Sequence, residues 1–90
     1  MERVLECREL EMENGEKVEV KYLLVTNEAQ SDRVRTYGIG IQKLNEKEVV
    51  EKLTESEEKV RGWIDKLARN QITPMCLVEV LDELISRDGI

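Results

Sequence analysis

The sequence predicts an α+β domain: a four-stranded antiparallel meander followed by two C-terminal helices packed on one of its faces, in the order ββββαα. Three observations lead there. The first half of the chain alternates apolar and polar residues at a period of two, broken by an Asn-Gly turn. The second half changes to a 3.6-residue period, and each periodic run is preceded by helix-start residues. Between the first two strands and the helices lies the stretch 34–44, VRTYGIGIQKL, with little charge and strict alternation. It places Tyr37, Ile39 and Ile41 on one face and Thr36, Gly38, Gly40 and Gln42 on the other. That pattern suits an inner strand with core on one face and almost no side chain on the other.

The elements follow in order. Residues 3–12 predict a first strand whose apolar parity switches, Val4, Leu10 and Met12 against Leu5 and Cys7; this points to a bulge near Arg8 or to a charged edge position. Glu13-Asn14-Gly15-Glu16 reads as a tight type I′ hairpin turn. Residues 17–25 predict a half-buried strand, with Val18, Val20, Tyr22 and Leu24 inward and Glu19 and Lys21 outward. A polar loop runs from Thr26 to Arg33, and the strand 34–44 follows. Asn45-Glu46-Lys47 makes a turn. Residues 48–54 fit a fourth strand, although EVVEKL also fits a helical period.

A first helix starts near Thr54 or Ser56, and Thr54 with Glu57 fits a capping box. Glu55, Glu57 and Glu58 suit the positive end of the helix dipole. Val60, Ile64, Leu67 and Ala68 form its apolar stripe, with Trp63 on the flank and Gly62 opposite. Thr73-Pro74 opens a second helix, Thr73 as N-cap and Pro74 at the first helical position, running to about Arg87 and ended by Asp88-Gly89.

Ninety residues make a single domain, 1–90. Such a chain buries roughly 60–65% of the surface exposed by its unfolded form, so its margin of stability is thin. Its core rests on ten Leu, ten Val and six Ile, with no Phe. The net charge of −6 is spread over both halves with no basic block, which disfavours nucleic acid as a partner. No apolar run is long enough for a membrane span or a secretory signal, so a cytoplasmic location is expected. Cys7 and Cys76 have no metal-ligand or redox spacing and read as small buried hydrophobes.

Candidate chemistry is sparse. The chain has no histidine, which removes the usual neutral-pH general base and the His-bearing metal sites. Glu79, Asp82 and Glu83 share one helix face and read as a solvated surface. Gly38-Ile39-Gly40 has the composition of half a phosphate loop but lies inside a strand; there, glycine serves twist, a bulge or a close neighbour. No catalytic, metal or cofactor residue is assigned. The second helix carries the surplus feature. Leu77, Val78, Leu81, Leu84 and Ile85, extended by Val80 and Cys76, make an apolar arc roughly 200° wide, about twice the usual stripe. Either two neighbours bury it, or the Cys76–Val80 flank is an interface, with Trp63 as a possible further anchor.

Tyr37-Gly38-Ile39 with Ile41, the Ser/Thr-capped helix bearing Val60, Ile64 and Leu67, and Pro74 with Leu77, Val80 and Leu81 together resemble a domain-of-unknown-function family of small clostridial (Firmicutes) proteins. The resemblance spans roughly 18–85. It implies a small intracellular bacterial protein and brings no catalytic or ligand residue with it. The expected function is a non-enzymatic protein–protein interaction or regulatory module, with a protein partner or a homodimer. The alternative is a small anionic-ligand-binding module or minor enzyme using Arg33, Arg35 and the loop from Thr26 to Arg33.

Overall fold

The computed structural model describes residues 1–28 and 34–87. Its elements are β1 (Glu2–Glu11), β2 (Lys17–Glu28), β3 (Arg35–Lys43), β4 (Glu46–Thr54), α1 (Glu57–Arg69), a 3-10 turn (Pro74–Cys76) and α2 (Leu77–Arg87). The strands form one antiparallel sheet in the order β1-β2-β3-β4, so the ββββαα meander is the fold. The ambiguous segment 48–54 is strand, because its apolar residues pair against β3: Val50 lies opposite Ile39 and Val49 opposite Gly40. Three expected stretches, Asp88-Gly89, Arg33 and most of the loop that precedes it, lie outside the described residues.

Local details depart from expectation. β2 runs on to Glu28, so Thr26 is strand rather than loop, and it exchanges backbone bonds with Met1 at 2.8 and 2.9 Å. The β1–β2 turn is wider than type I′. Gly15 donates to Met12 O at 2.9 Å, Met12 N donates to Glu16 O at 2.7 Å, and only Gly15 takes a positive φ, +86°. That is a type I turn closed by a left-handed glycine. Asn14 instead accepts from Glu16 N through its side chain, at 3.0 Å. The β1 bulge falls between Val4 and Glu6, not near Arg8, and Leu5 is its extra residue. The β3–β4 turn is centred on Leu44-Asn45, one residue earlier than expected, with Leu44 at φ +47°.

The inner face of the sheet is the core. Val20, Tyr22, Leu24, Tyr37, Ile39 and Ile41 pack against Val60, Trp63, Ile64, Leu67 and Ala68 of α1 and Leu77 and Leu81 of α2. The Tyr22 hydroxyl donates to Ile72 O at 2.9 Å, tying the middle of the sheet to the link between the helices. Ser56 is the N-cap of α1 and accepts from Lys59 N at 3.2 Å; Thr54 caps Ser56 N instead, at 3.1 Å, and Glu57 pairs with Arg61 at 2.8 Å, so the capping box does not form. At the other end, Ile72 N reaches Leu67 O and Gln71 N reaches Ala68 O, with Gln71 at φ +52°. This is a Schellman ending with glutamine at the position glycine prefers. Thr73 makes no side-chain capping bond, and Pro74 opens a 3-10 turn before the α-helix proper.

The outer face is not bare. Leu23 and Val25 are each 3% exposed there, beside Gly40 and Gly38 of β3. Val49 covers Gly40 from the β4 side. Glu2 and Lys47, from the two edge strands, meet at 2.7 Å across this face. In a flat sheet their strands would be about 14 Å apart, so the sheet curls toward this side and closes over its small apolar seam. β4 also bulges: between its Ile39 and Tyr37 pairings, three residues (Glu51, Lys52, Leu53) lie opposite Gly38, and Lys52 takes φ +56°. A Cβ on Gly38 would overlap Val50 O, so the backbone of β4 occupies the space a side chain would need.

Candidate functional site

The sequence singled out Cys76, Val80 and Trp63 as a surface, and the fold separates them. Trp63 is 1% exposed and belongs to the core that α1 forms with the sheet, not to a helix flank. Val80 is half-buried and packs against the core. Cys76 is exposed, as is Cys7, so neither cysteine is the small buried hydrophobe that composition suggested. α2 buries fully only Leu77 and Leu81, leaving Val80, Leu84 and Ile85 half-buried. Its surplus apolar surface lies on the other flank: Met75, in the 3-10 turn, and Val78 are the exposed pair, at 84% and 52%. The periodicity placed Val78 in the buried arc. The apolar arc drawn from the sequence took in Cys76 and left out Met75, which lies in the 3-10 turn rather than in the α-helical phase.

A second candidate lies at the open end of the sheet. Met1, Arg3, Leu24, Thr26, Glu28, Arg35, Tyr37 and the first residue of α1, Glu57, enclose an open cleft of about 460 Å³. Leu24 and Tyr37 supply its apolar floor. Arg35 reaches this cleft, as the anion reading requires, but its Nε donates to Glu28 Oε1 at 2.7 Å. The hydrogen bond to Glu28, that carboxylate's charge and a bond with Tyr37 together hold the Arg35 guanidinium above its ordinary pKa. Its charge is therefore already matched. Arg33 is outside the described residues. Arg3, which the sequence reading did not select, has no ion-pair partner among the described residues and is the free cation of the cleft. Glu57 is held by Arg61.

The remaining motifs carry no site. Gly38-Ile39-Gly40 is interior strand. Glu79, Asp82 and Glu83 are exposed on α2, and Glu83 pairs with Arg87 at 2.8 Å. Among the described residues, no three side chains of His, Cys, Asp or Glu gather as metal ligands would, and no helix is long and apolar enough to cross a membrane.

The sequence model of a family of unknown function, DUF6514, matches residues 1–87. No curated protein and no solved structure shows significant similarity to the chain.

Proposed function

The chain belongs to the DUF6514 family, and we propose that it is a non-enzymatic interaction module of the bacterial cytoplasm that binds a protein partner through the Met75–Val78 flank of α2. The observation behind this reading is the pair of large apolar side chains left at 84% and 52% exposure, Met75 in the 3-10 turn and Val78 in the first turn of α2, beside the buried Leu77 and Leu81. Val78→Glu tests it in a pull-down from native cytoplasm. The expected result is a partner retained by the wild type and lost by the variant, with the helical circular dichroism of both alike. Equal recovery by both, or recovery by neither, refutes it. Val80→Glu is the contrasting change. It places a carboxylate against the core, so loss of stability rather than loss of binding is expected.

The cleft supports a second reading, recognition of a small anion by Arg3 above the Leu24–Tyr37 floor. A thermal-shift panel of anionic metabolites tests it. Stabilisation abolished by Arg3→Ala and retained in Arg35→Ala fits the geometry; a flat panel refutes the reading.

A further inference from the structure

β1 is an edge strand, and among the described residues no strand pairs with its free side. Its hydrogen-bonding phase is set by the turn that follows. Met12 N donates inward to Glu16 O, and Met12 O accepts from Gly15 N. Inward and outward groups alternate along an antiparallel strand, so Leu10, Arg8 and Glu6 face β2, while Glu11, Glu9 and Cys7 turn their amides and carbonyls to the free edge; there the Cys7 carbonyl accepts from Arg8 Nη1 at 3.1 Å, a bond that pairing at Cys7 must share or displace. Only registers that join outward groups to outward groups can form on this edge.

Those registers differ in charge. If two copies met about a two-fold axis at Glu6, Arg8 or Glu9, the same charged residue would face itself. An axis at Leu10 would set Glu9 against Glu11. An axis at Cys7 places Cys7 opposite Cys7 and each Glu6 opposite an Arg8. Opposite charges on facing positions stabilise a strand pair and like charges destabilise it. Glu6 and Arg8 already face the same side of the sheet, with Arg8 Nη2 2.7 Å from Glu6 Oε2. A second copy would close these two charges into an alternating ring of four. Both side chains are about one-third exposed, although Glu6 Oε2 itself is buried, which leaves Oε1 for a facing Arg8. The bulge at Leu5 shifts the strand by one residue, so the regular pairing is confined to the centre, Glu6 to Arg8 on each copy.

We infer that the free edge of β1 pairs antiparallel with β1 of a second copy of this chain, about a two-fold axis at Cys7, joining two four-stranded sheets into one of eight. A charged edge strand ordinarily deters pairing. Here the charges are of both signs and arranged symmetrically about Cys7, which deters foreign strands and wrong registers while admitting this one. The surface is separate from the α2 flank and does not depend on it.

The test is sedimentation equilibrium under reducing conditions, over a wide concentration range. The wild type is expected to dimerise reversibly. Glu6→Arg and Arg8→Glu should each weaken the dimer about tenfold or more, since each replaces two facing opposite-charge pairs by like charges. The double exchange Glu6→Arg/Arg8→Glu should restore it. Cys7→Pro is the second variant. It removes an outward amide without touching the β1–β2 ladder, and should give a folded monomer. A short bifunctional thiol crosslinker should join copies through Cys7, in Cys76→Ser and not in Cys7→Ser, and Val78→Glu should leave the dimer intact. A wild type monomeric throughout, a dimer indifferent to the single charge reversals, or crosslinking only through Cys76 overturns the inference.

Discussion

Gly38→Ala is the most informative single substitution in the sheet. The added methyl group would overlap Val50 O and sit 2.8 Å from Glu51 Cα and 3.0 Å from Val50 C. These are backbone atoms, so no rotamer change relieves the clash. β4 must retreat by roughly 1 Å or more to reach ordinary contact, and its pairing beyond the bulge, Thr54 against Tyr37, loosens with it. Overpacking of this kind costs about 1–3 kcal/mol, and more when a backbone must move. A loss of about 3 kcal/mol is therefore expected. For a domain of this size that lowers Tm by about 12–24 °C and removes a large fraction of a typical stability of about 5–15 kcal/mol. Urea unfolding followed by fluorescence measures it directly, because Trp63 is the only tryptophan and is 1% exposed. Gly40→Ala is the control. Its nearest neighbours are the side-chain tips Leu23 Cδ1 at 3.2 Å and Val49 Cγ2 at 3.3 Å, which can rotate, so a change under about 1 kcal/mol is expected. If Gly38→Ala falls within about 0.5 kcal/mol of wild type, or costs less than Gly40→Ala, the close-approach account of Gly38 is wrong.

Gly62 is exposed on α1 with open space where a Cβ would go, so Gly62→Ala should stabilise by about 0.5–1 kcal/mol, read as a higher urea midpoint at unchanged slope. Leu44 and Gln71 hold left-handed backbone at φ +47° and +52°. Leu44→Gly and Gln71→Gly should each stabilise by about 0.5–1 kcal/mol, the left-handed strain relieved less the glycine entropy, and the two gains should add in the double variant. Burial pushes the Tyr22 hydroxyl above its ordinary value, with Arg8 pulling it down by less. An acid with a higher pKa folded than unfolded contributes fully while neutral in both states. It loses that contribution as pH rises from about 10, the unfolded value, through the folded one. Stability should therefore fall above about pH 10. Tyr22→Phe should cost about 1 kcal/mol at neutral pH through the lost bond to Ile72 O and flatten that alkaline decline.

The periodic parts of the fold were legible because one face of each element is buried and the other is not. The stripe Val60, Ile64, Leu67 and the alternation Tyr37, Ile39, Ile41 each map onto the core. The run Tyr22-Leu23-Leu24-Val25 held a signal that alternation hides: four consecutive apolar residues mean burial on both faces. Reading only Tyr22 and Leu24 made the outer face look empty. Turn details were lost because Leu44, Lys52 and Gln71 adopt backbone conformations their side chains disfavour, so tertiary packing, not local preference, sets them. The surface of α2 was misplaced by one flank because the 3-10 turn at Pro74 changes the angular phase between Met75 and the helix. Arg3 could not be found from sequence at all: it faces the cleft only because β1 pairs Arg3 with Leu24.

The bulge in β4 bears on how far any sheet built from this chain can grow. Two copies joined through β1 would carry β4 on both outer borders, where Lys52 at φ +56° interrupts the strand and offers a cationic, out-of-phase backbone to the next molecule. Only Glu46 to Val50 would remain a regular template there for a third copy. A pair formed about a two-fold axis at β1 would be closed at that interface, and growth beyond it would have to use the shortened, bulged border of β4.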